Sequence, residues 1–125
     1  MSAFRAVVLE HFRHPRNRGP LEDATVQVEG ANPLCGDRIR VELRADNGTI
    51  ADARFTADAC ALCIASASLL TEHVRGMRVS DAADVEVSWL HASLEGAPPP
   101  SRRRCVMLPL ETLHRAVANL RATAT

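Results

Sequence analysis

The tripeptide Asp46-Asn47-Gly48, set between two stretches of alternating apolar and polar residues, constrains this chain more than any other feature. Asn-Gly readily takes the two positive φ angles of a tight hairpin turn, and such a turn joins antiparallel strands. Ahead of it, apolar residues from Ile39 to Leu43 alternate with Arg and Glu, and behind it Ala51, Ala53, Phe55 and Ala57 alternate on the return. Side chains at period two point to opposite faces, so the hairpin presents one apolar face that other elements must cover.

The flanking segments supply the cover. Phe4, Val7, Val8 and Phe12 have helical spacing within residues 3–13, and Pro15 ends that pattern. Residues 14–20 are turn chemistry, Val26 and Val28 alternate as a short strand does, and a loop with Gly30, Pro33 and Gly36 follows. After Asp58, Cys60, Ile64, Ala67 and Leu70 share one helical face to about Arg75, where Gly76 offers a stop. Weaker patterns predict short helices around Asp81–Val85 and near Trp89. The proline run at 98–100 reads as a stiff surface connector, and Val106, Leu110, Leu113, Val117 and Leu120 predict a final helix over about 106–121, with Pro109 in its first turn. Strands and helices are segregated rather than alternating, which predicts an α+β fold: a small three-stranded antiparallel sheet with helices packed on one face. At 125 residues without an internal repeat, residues 1–125 are expected to form a single domain.

Arginines and acids balance at 15 each, with no lysine, so no global field draws the chain to nucleic acid or an anionic membrane. No stretch approaches the roughly 18 apolar residues of a membrane span, and the first residues lack the apolar core of a leader, so the expected location is the cytoplasm. In that reducing compartment the four cysteines, Cys35, Cys60, Cys63 and Cys105, point to metal binding, to redox or transfer chemistry, or to packing as small apolar groups. Cys35 and Asp37 stand two apart just ahead of a strand, where an extended backbone aims both side chains the same way. Cys60 and Cys105 each fall at the start of an expected helix, where the helix dipole favours a thiolate. Thiolates with one carboxylate form a tetrahedral set for zinc, and thiolates are the usual ligands of iron-sulfur clusters. Spacing alone leaves a metal site and buried thiols both open, because three cysteines tens of residues apart match no compact metal motif.

The strings around the cysteines are more specific. Asn32-Pro-Leu-Cys-Gly-Asp-Arg-Ile39, Ala59-Cys-Ala-Leu-Cys-Ile-Ala-Ser-Ala-Ser68 and Arg102-Arg-Arg-Cys105, with His14-Pro-Arg-Asn-Arg-Gly19 ahead of them, resemble the IscU/SufU/NifU family of iron-sulfur scaffold proteins over nearly the whole chain. The resemblance implies that Cys35, Asp37, Cys60 and Cys105 bind zinc or a [2Fe–2S] cluster, and that sulfur arrives from a cysteine desulfurase, with Cys35 and Cys105 as candidate acceptors. It further implies iron-sulfur acceptor or carrier proteins as partners. IscU-like members carry a histidine ligand just before the third cysteine, whereas Arg104 stands here; SufU-like members lack that histidine and match these motifs most closely. Their usual insertion of about twenty residues between the second and third cysteines is nevertheless absent, and Ala97-Pro-Pro-Pro-Ser-Arg102 replaces the chaperone-binding string of IscU-like members. Function is therefore expected to be cluster assembly scaffolding, with zinc-dependent sulfur transfer as the alternative and a structural zinc domain as a third reading.

Other residues carry plainer expectations. Cys63 could pair with Cys60 as a C-x-x-C redox couple, but packing is the favoured reading. Arg102 to Arg104 read equally as a solvated turn or as a docking patch for an acidic partner, and Arg102 matches an arginine that SufU-like members place three before the cysteine, which implies partner docking or activation of Cys105. His11, His14, His73, His91 and His114 adjoin no cysteine in sequence and are expected to serve surface or packing roles.

Overall fold

The computed structural model describes residues 2–123. Helix α1 (Ala3–Arg13) is followed by strands β1 (Val26–Asn32), β2 (Asp37–Asp46) and β3 (Thr49–Asp58). Helices α2 (Ala61–Val74), α3 (Val79–Ala82) and α4 (Val87–Ser93) come next, then a 3₁₀ turn (Pro100–Arg102) that runs directly into α5 (Arg103–Thr123). The sheet is antiparallel in the order β1-β2-β3. Asn47 and Gly48 join β2 to β3 with φ of 53° and 77°, the turn that the Asn-Gly pair predicts.

On the inner face, Val28, Val41 and Phe55 lie in register across the three strands, flanked by Val26, Ile39, Leu43 and Ala53, all buried. Helix α5 lies against β1 and β2, α2 lies against β3 and α5, and α1 packs outside α2. The fold is thus the expected α+β arrangement, with helices on one face of a three-stranded sheet. Gly30 of β1 is the point of closest approach to α5: a Cβ there would collide with Oγ1 of Thr112.

Three local expectations are corrected. Ala51 is exposed while Ile50 is buried, because the register shifts between Arg44 and Ala45 and a bulge leaves Ala51 without a partner. Helix α1 turns His11, not Phe12, into the interior, since His11 Nδ1 shares a 2.8 Å hydrogen bond with Oγ of Ser68; Phe12 is exposed. Helix α5 begins at Arg103 rather than near 106, since the 3₁₀ turn nucleates it, so Pro109 lies past the first turn and cannot donate to the Cys105 carbonyl four residues back.

Segment 14–25 ties the layers together. Asn17 and Gly19 exchange backbone hydrogen bonds with Phe55 on the free edge of β3, and the Arg16 amide donates to Ser68 Oγ at 2.8 Å. The chain then crosses the outer sheet face, where the Leu21 amide donates to the buried carboxylate of Glu42. The His14–Gly19 loop is therefore a structural clamp between β3 and α2.

Candidate metal centre

Three elements start at one end of the molecule, and each brings a functional side chain. Asp37 is the first residue of β2, Cys60 is the N-cap of α2, and Cys105 lies in the first turn of α5. Their ligand atoms all lie within 4.8 Å of one another. Asp37 and Cys105 are buried and Cys60 is half-buried. Two thiols and a carboxylate at this spacing fit the donor chemistry and the size of a zinc ion, and the same thiols suit iron.

Cys35 stands outside that trio, exposed on the turn between β1 and β2. Its thiol donates to Asp37 Oδ2 at 3.2 Å. The approach does not come from strand alternation, as the spacing suggests, because residues 33–36 are a turn rather than extended backbone. Buried Asn32 organises this turn: its carbonyl accepts the Gly36 amide at 2.9 Å and its Oδ1 accepts the Leu34 amide at 3.2 Å. Gly36, at φ 76°, lets the chain re-enter the sheet at Asp37. Leu34 beside it is 85% exposed.

At Cys105 the electrostatics differ from the expected thiolate. Burial pushes the Cys105 thiol up to about 12, and its hydrogen bond with Cys60 and the Cys60 and Asp37 charges add to the rise. A hydrogen bond from the exposed Arg102 pulls the other way. Desolvation therefore disfavours the Cys105 thiolate, and a bound cation is what would favour it. Cys63 is fully buried, and burial, then the charges of Cys60, Asp37, Cys105 and Cys35, hold it as a neutral thiol.

No histidine joins the ligand group among the described residues. His11 bonds Ser68, His73 stacks on Trp89 with ring centroids 3.7 Å apart, and His114 Nε2 bonds the Val85 carbonyl at 2.7 Å. Arg104 is exposed and lines a small cleft with Asn32, Met107 and Glu111. Two features escape the sequence reading: the Asx clamp of Asn32, which the Asn-Pro pair could have signalled, and a second role of Asp37, whose Oδ1 accepts the Cys60 amide at 3.1 Å.

Fold and donor set together define a small α+β protein that gathers two cysteines and an aspartate at one end, with a third cysteine exposed at the rim. The chain belongs to the family of NifU-like N terminal domains, whose model matches residues 3–125. It is 30% identical to the zinc-dependent sulfurtransferase SufU of Bacillus subtilis, over 92% of this chain and 89% of that one. It is 39% identical to the iron-sulfur cluster assembly scaffold protein IscU of Aquifex aeolicus, over 88% and 71%. The fold matches that of an iron-sulfur cluster assembly scaffold protein for the SUF system from Fervidobacterium islandicum, with a TM-score of 0.77 at 23% identity, over 89% of this chain and 93% of that one.

Proposed function

We propose that this chain is an iron-sulfur cluster assembly scaffold, acting as one NifU-like domain over residues 1–125 and binding zinc or a [2Fe–2S] cluster through Cys35, Asp37, Cys60 and Cys105. The convergence of Asp37, Cys60 and Cys105 within 4.8 Å, with Cys35 on Asp37, is the observation that carries it. A resident zinc ion would supply charge that favours thiolates at neutral pH. Iron and sulfide are the cargo, and Asp37, a harder ligand than the cysteines, keeps the assembled cluster releasable. Relatives named IscU scaffold and SufU sulfurtransferase support this reading.

Partners in this reading are a cysteine desulfurase that supplies sulfur and acceptor or carrier proteins that take the cluster. Cys35 is the accessible thiol: its thiolate attacks the outer sulfur of the desulfurase persulfide, the new S–S bond forms on Cys35, and the desulfurase cysteine leaves as thiolate. Cys105 is the buried alternative acceptor. No helix among the described residues is long and apolar enough to cross a membrane, which supports a cytoplasmic site of action.

Zinc-dependent sulfur transfer is the second reading, favoured by Arg104 in place of a histidine and by Arg102 bonded to Cys105. In that reading Arg102 activates the cysteine as well as docking a partner. Anaerobic reconstitution with iron, cysteine and a desulfurase separates the readings. A stable visible cluster that Cys105→Ser loses supports scaffolding; accelerated sulfide release without a cluster supports transfer. Failure of both leaves a structural zinc domain.

A further inference from the structure

Leu34 has no part in either reading, although it adjoins Cys35. Two large apolar side chains are exposed among the described residues, Phe12 at 41% and Leu34 at 85%. A single exposed leucine on a loose loop would need no explanation. Leu34 is instead held in place: Pro33 before it has a fixed φ, its amide donates to Oδ1 of buried Asn32 at 3.2 Å, and the Asn32 carbonyl accepts the Cys35 and Gly36 amides at 3.3 and 2.9 Å. The turn thus presents an apolar side chain to solvent on a fixed backbone, one residue ahead of the accessible thiol.

Charge around this turn is one-sided. Arg38, Arg102, Arg103 and Arg104 are all exposed. Arg104 lines the small cleft that Asn32 also lines. Arg102 bonds Cys105, whose sulfur lies within 4.8 Å of the carboxylate of Asp37, and that carboxylate accepts the Cys35 thiol. None of the four arginines forms a salt bridge among the described residues. Against them stand two exposed carboxylates, Asp58 opposite Arg38 in the strand register and Glu111 in the cleft with Arg104. The rim is therefore net positive, although the chain as a whole is neutral.

Resting on the sulfur-acceptor reading and extending it, we propose that Leu34 anchors the sulfur-donor protein: it enters an apolar pocket beside the donor's persulfide, and carboxylates rimming that pocket meet Arg38, Arg103 and Arg104. Transfer itself demands the contact. The new S–S bond forms at Sγ of Cys35, so the persulfide must first come within about 3–3.5 Å, and a protein that close covers the neighbouring residue. The two parts of the surface act differently. Burying a leucine gives affinity that salt does not screen, whereas exposed arginines steer the encounter and lose that effect as ionic strength rises.

The test follows sulfur transfer from a cysteine desulfurase of the same organism to the full chain, with L-cysteine as the sulfur source. After alkylation and trypsin, residues 19–38 form one peptide whose only cysteine is Cys35, so mass spectrometry reads its persulfide directly. Leu34→Ala is expected to raise KM for the chain about tenfold or more, at low salt and at about 1 M salt alike, with kcat within about twofold of wild type. Leu34→Met keeps the apolar bulk and should bring KM back to within about threefold. Arg103→Gln combined with Arg104→Gln should lower kcat/KM about fivefold, at low salt only. Glutathione persulfide, GSSH, is the small donor for comparison. Cys35 thiolate attacks its outer sulfur, Cys35–S–SH forms and GS⁻ leaves; Leu34→Ala should match the wild-type rate. An unchanged KM in Leu34→Ala, or an equal slowing with GSSH, overturns the proposal and leaves Cys35 as acceptor. So does a wild-type dimer that Leu34→Ala dissociates in sedimentation, since a second copy then covers the leucine. A defect confined to cluster hand-off, with sulfur uptake intact, overturns it in favour of an acceptor protein. Wild type that takes sulfur from GSSH but none from the desulfurase overturns the sulfur-acceptor reading itself, and the anchor with it.

Discussion

Asp37 holds the amide of Cys60: its Oδ1 accepts that N–H at 3.1 Å, while its Oδ2 accepts the Cys35 thiol at 3.2 Å. The carboxylate is buried, and no cation forms a salt bridge with it among the described residues. A buried carboxylate held only by hydrogen bonds is costly for a metal-free chain, and a bound cation offsets that cost. Asp37→Asn keeps an acceptor for the Cys60 amide and removes the charge. It is expected to raise the melting temperature of the metal-free chain by about 4 °C or more, the shift that roughly 1 kcal/mol gives a small domain. Zinc retention in a chelator competition should fall about tenfold or more. A lower melting temperature would show that the charge is satisfied without a metal.

In the proposed scaffold reading the same carboxylate is expected to set the lifetime of a bound cluster. Asp37→Ala removes the one oxygen ligand and leaves the thiols, so a reconstituted cluster is expected to decay more slowly than in wild type, followed by its visible absorption under air. Faster decay would mean that Asp37 holds the cluster rather than releasing it.

The fold was legible where local chemistry decides it. Asn47-Gly48 set the hairpin, Gly76 ended α2 at φ 83°, and the periodicity of Val106 to Leu120 marked α5. Ala51 and Phe12 were misplaced because a bulge and a hydrogen bond to Ser68 are tertiary events that alternation does not encode. The candidate residues were named from the strings around them, yet spacing could not show that burial raises the Cys105 thiol, nor that Cys35 stays exposed. Both depend on how deeply the chain packs around each thiol.

His11 should make stability depend on pH. Burial lowers its pKa from the ordinary 6.5, Arg16 adds to the lowering, and Glu72 and Glu10 oppose it. The folded state thus prefers the neutral ring. Its contribution is fully present above about pH 6.5 and is lost as pH falls through the lowered folded value, because the unfolded chain then binds the proton more readily. His73 is lowered by burial too and acts in the same sense. Thermal stability of wild type should fall as pH drops below about 6.5, and His11→Gln should show a shallower slope. Equal slopes would assign the dependence to His73 or to the carboxylates.

Gly30 tests whether the spacing of β1 and α5 governs the site. A Cβ at Gly30 would collide with Oγ1 of Thr112 and would lie 3.1 Å from Leu108 Cδ1, a flexible side-chain end. Gly30→Ala must therefore push α5 away from β1, an overpacking that costs about 1–3 kcal/mol. Thr112→Ala removes the nearest atom, so the double variant is expected to recover more than half of the loss in urea unfolding. The consequence reaches the ligands, because β1 ends at Asn32, which shapes the Cys35 turn, and α5 carries Cys105. Moving one element against the other separates Cys105 from Asp37, whose ligand atoms now lie within 4.8 Å. Zinc retention should then fall in Gly30→Ala and return in the double variant. Wild-type retention in a destabilised Gly30→Ala would show that the end of the molecule bearing Asp37, Cys60 and Cys105 is positioned independently of this contact.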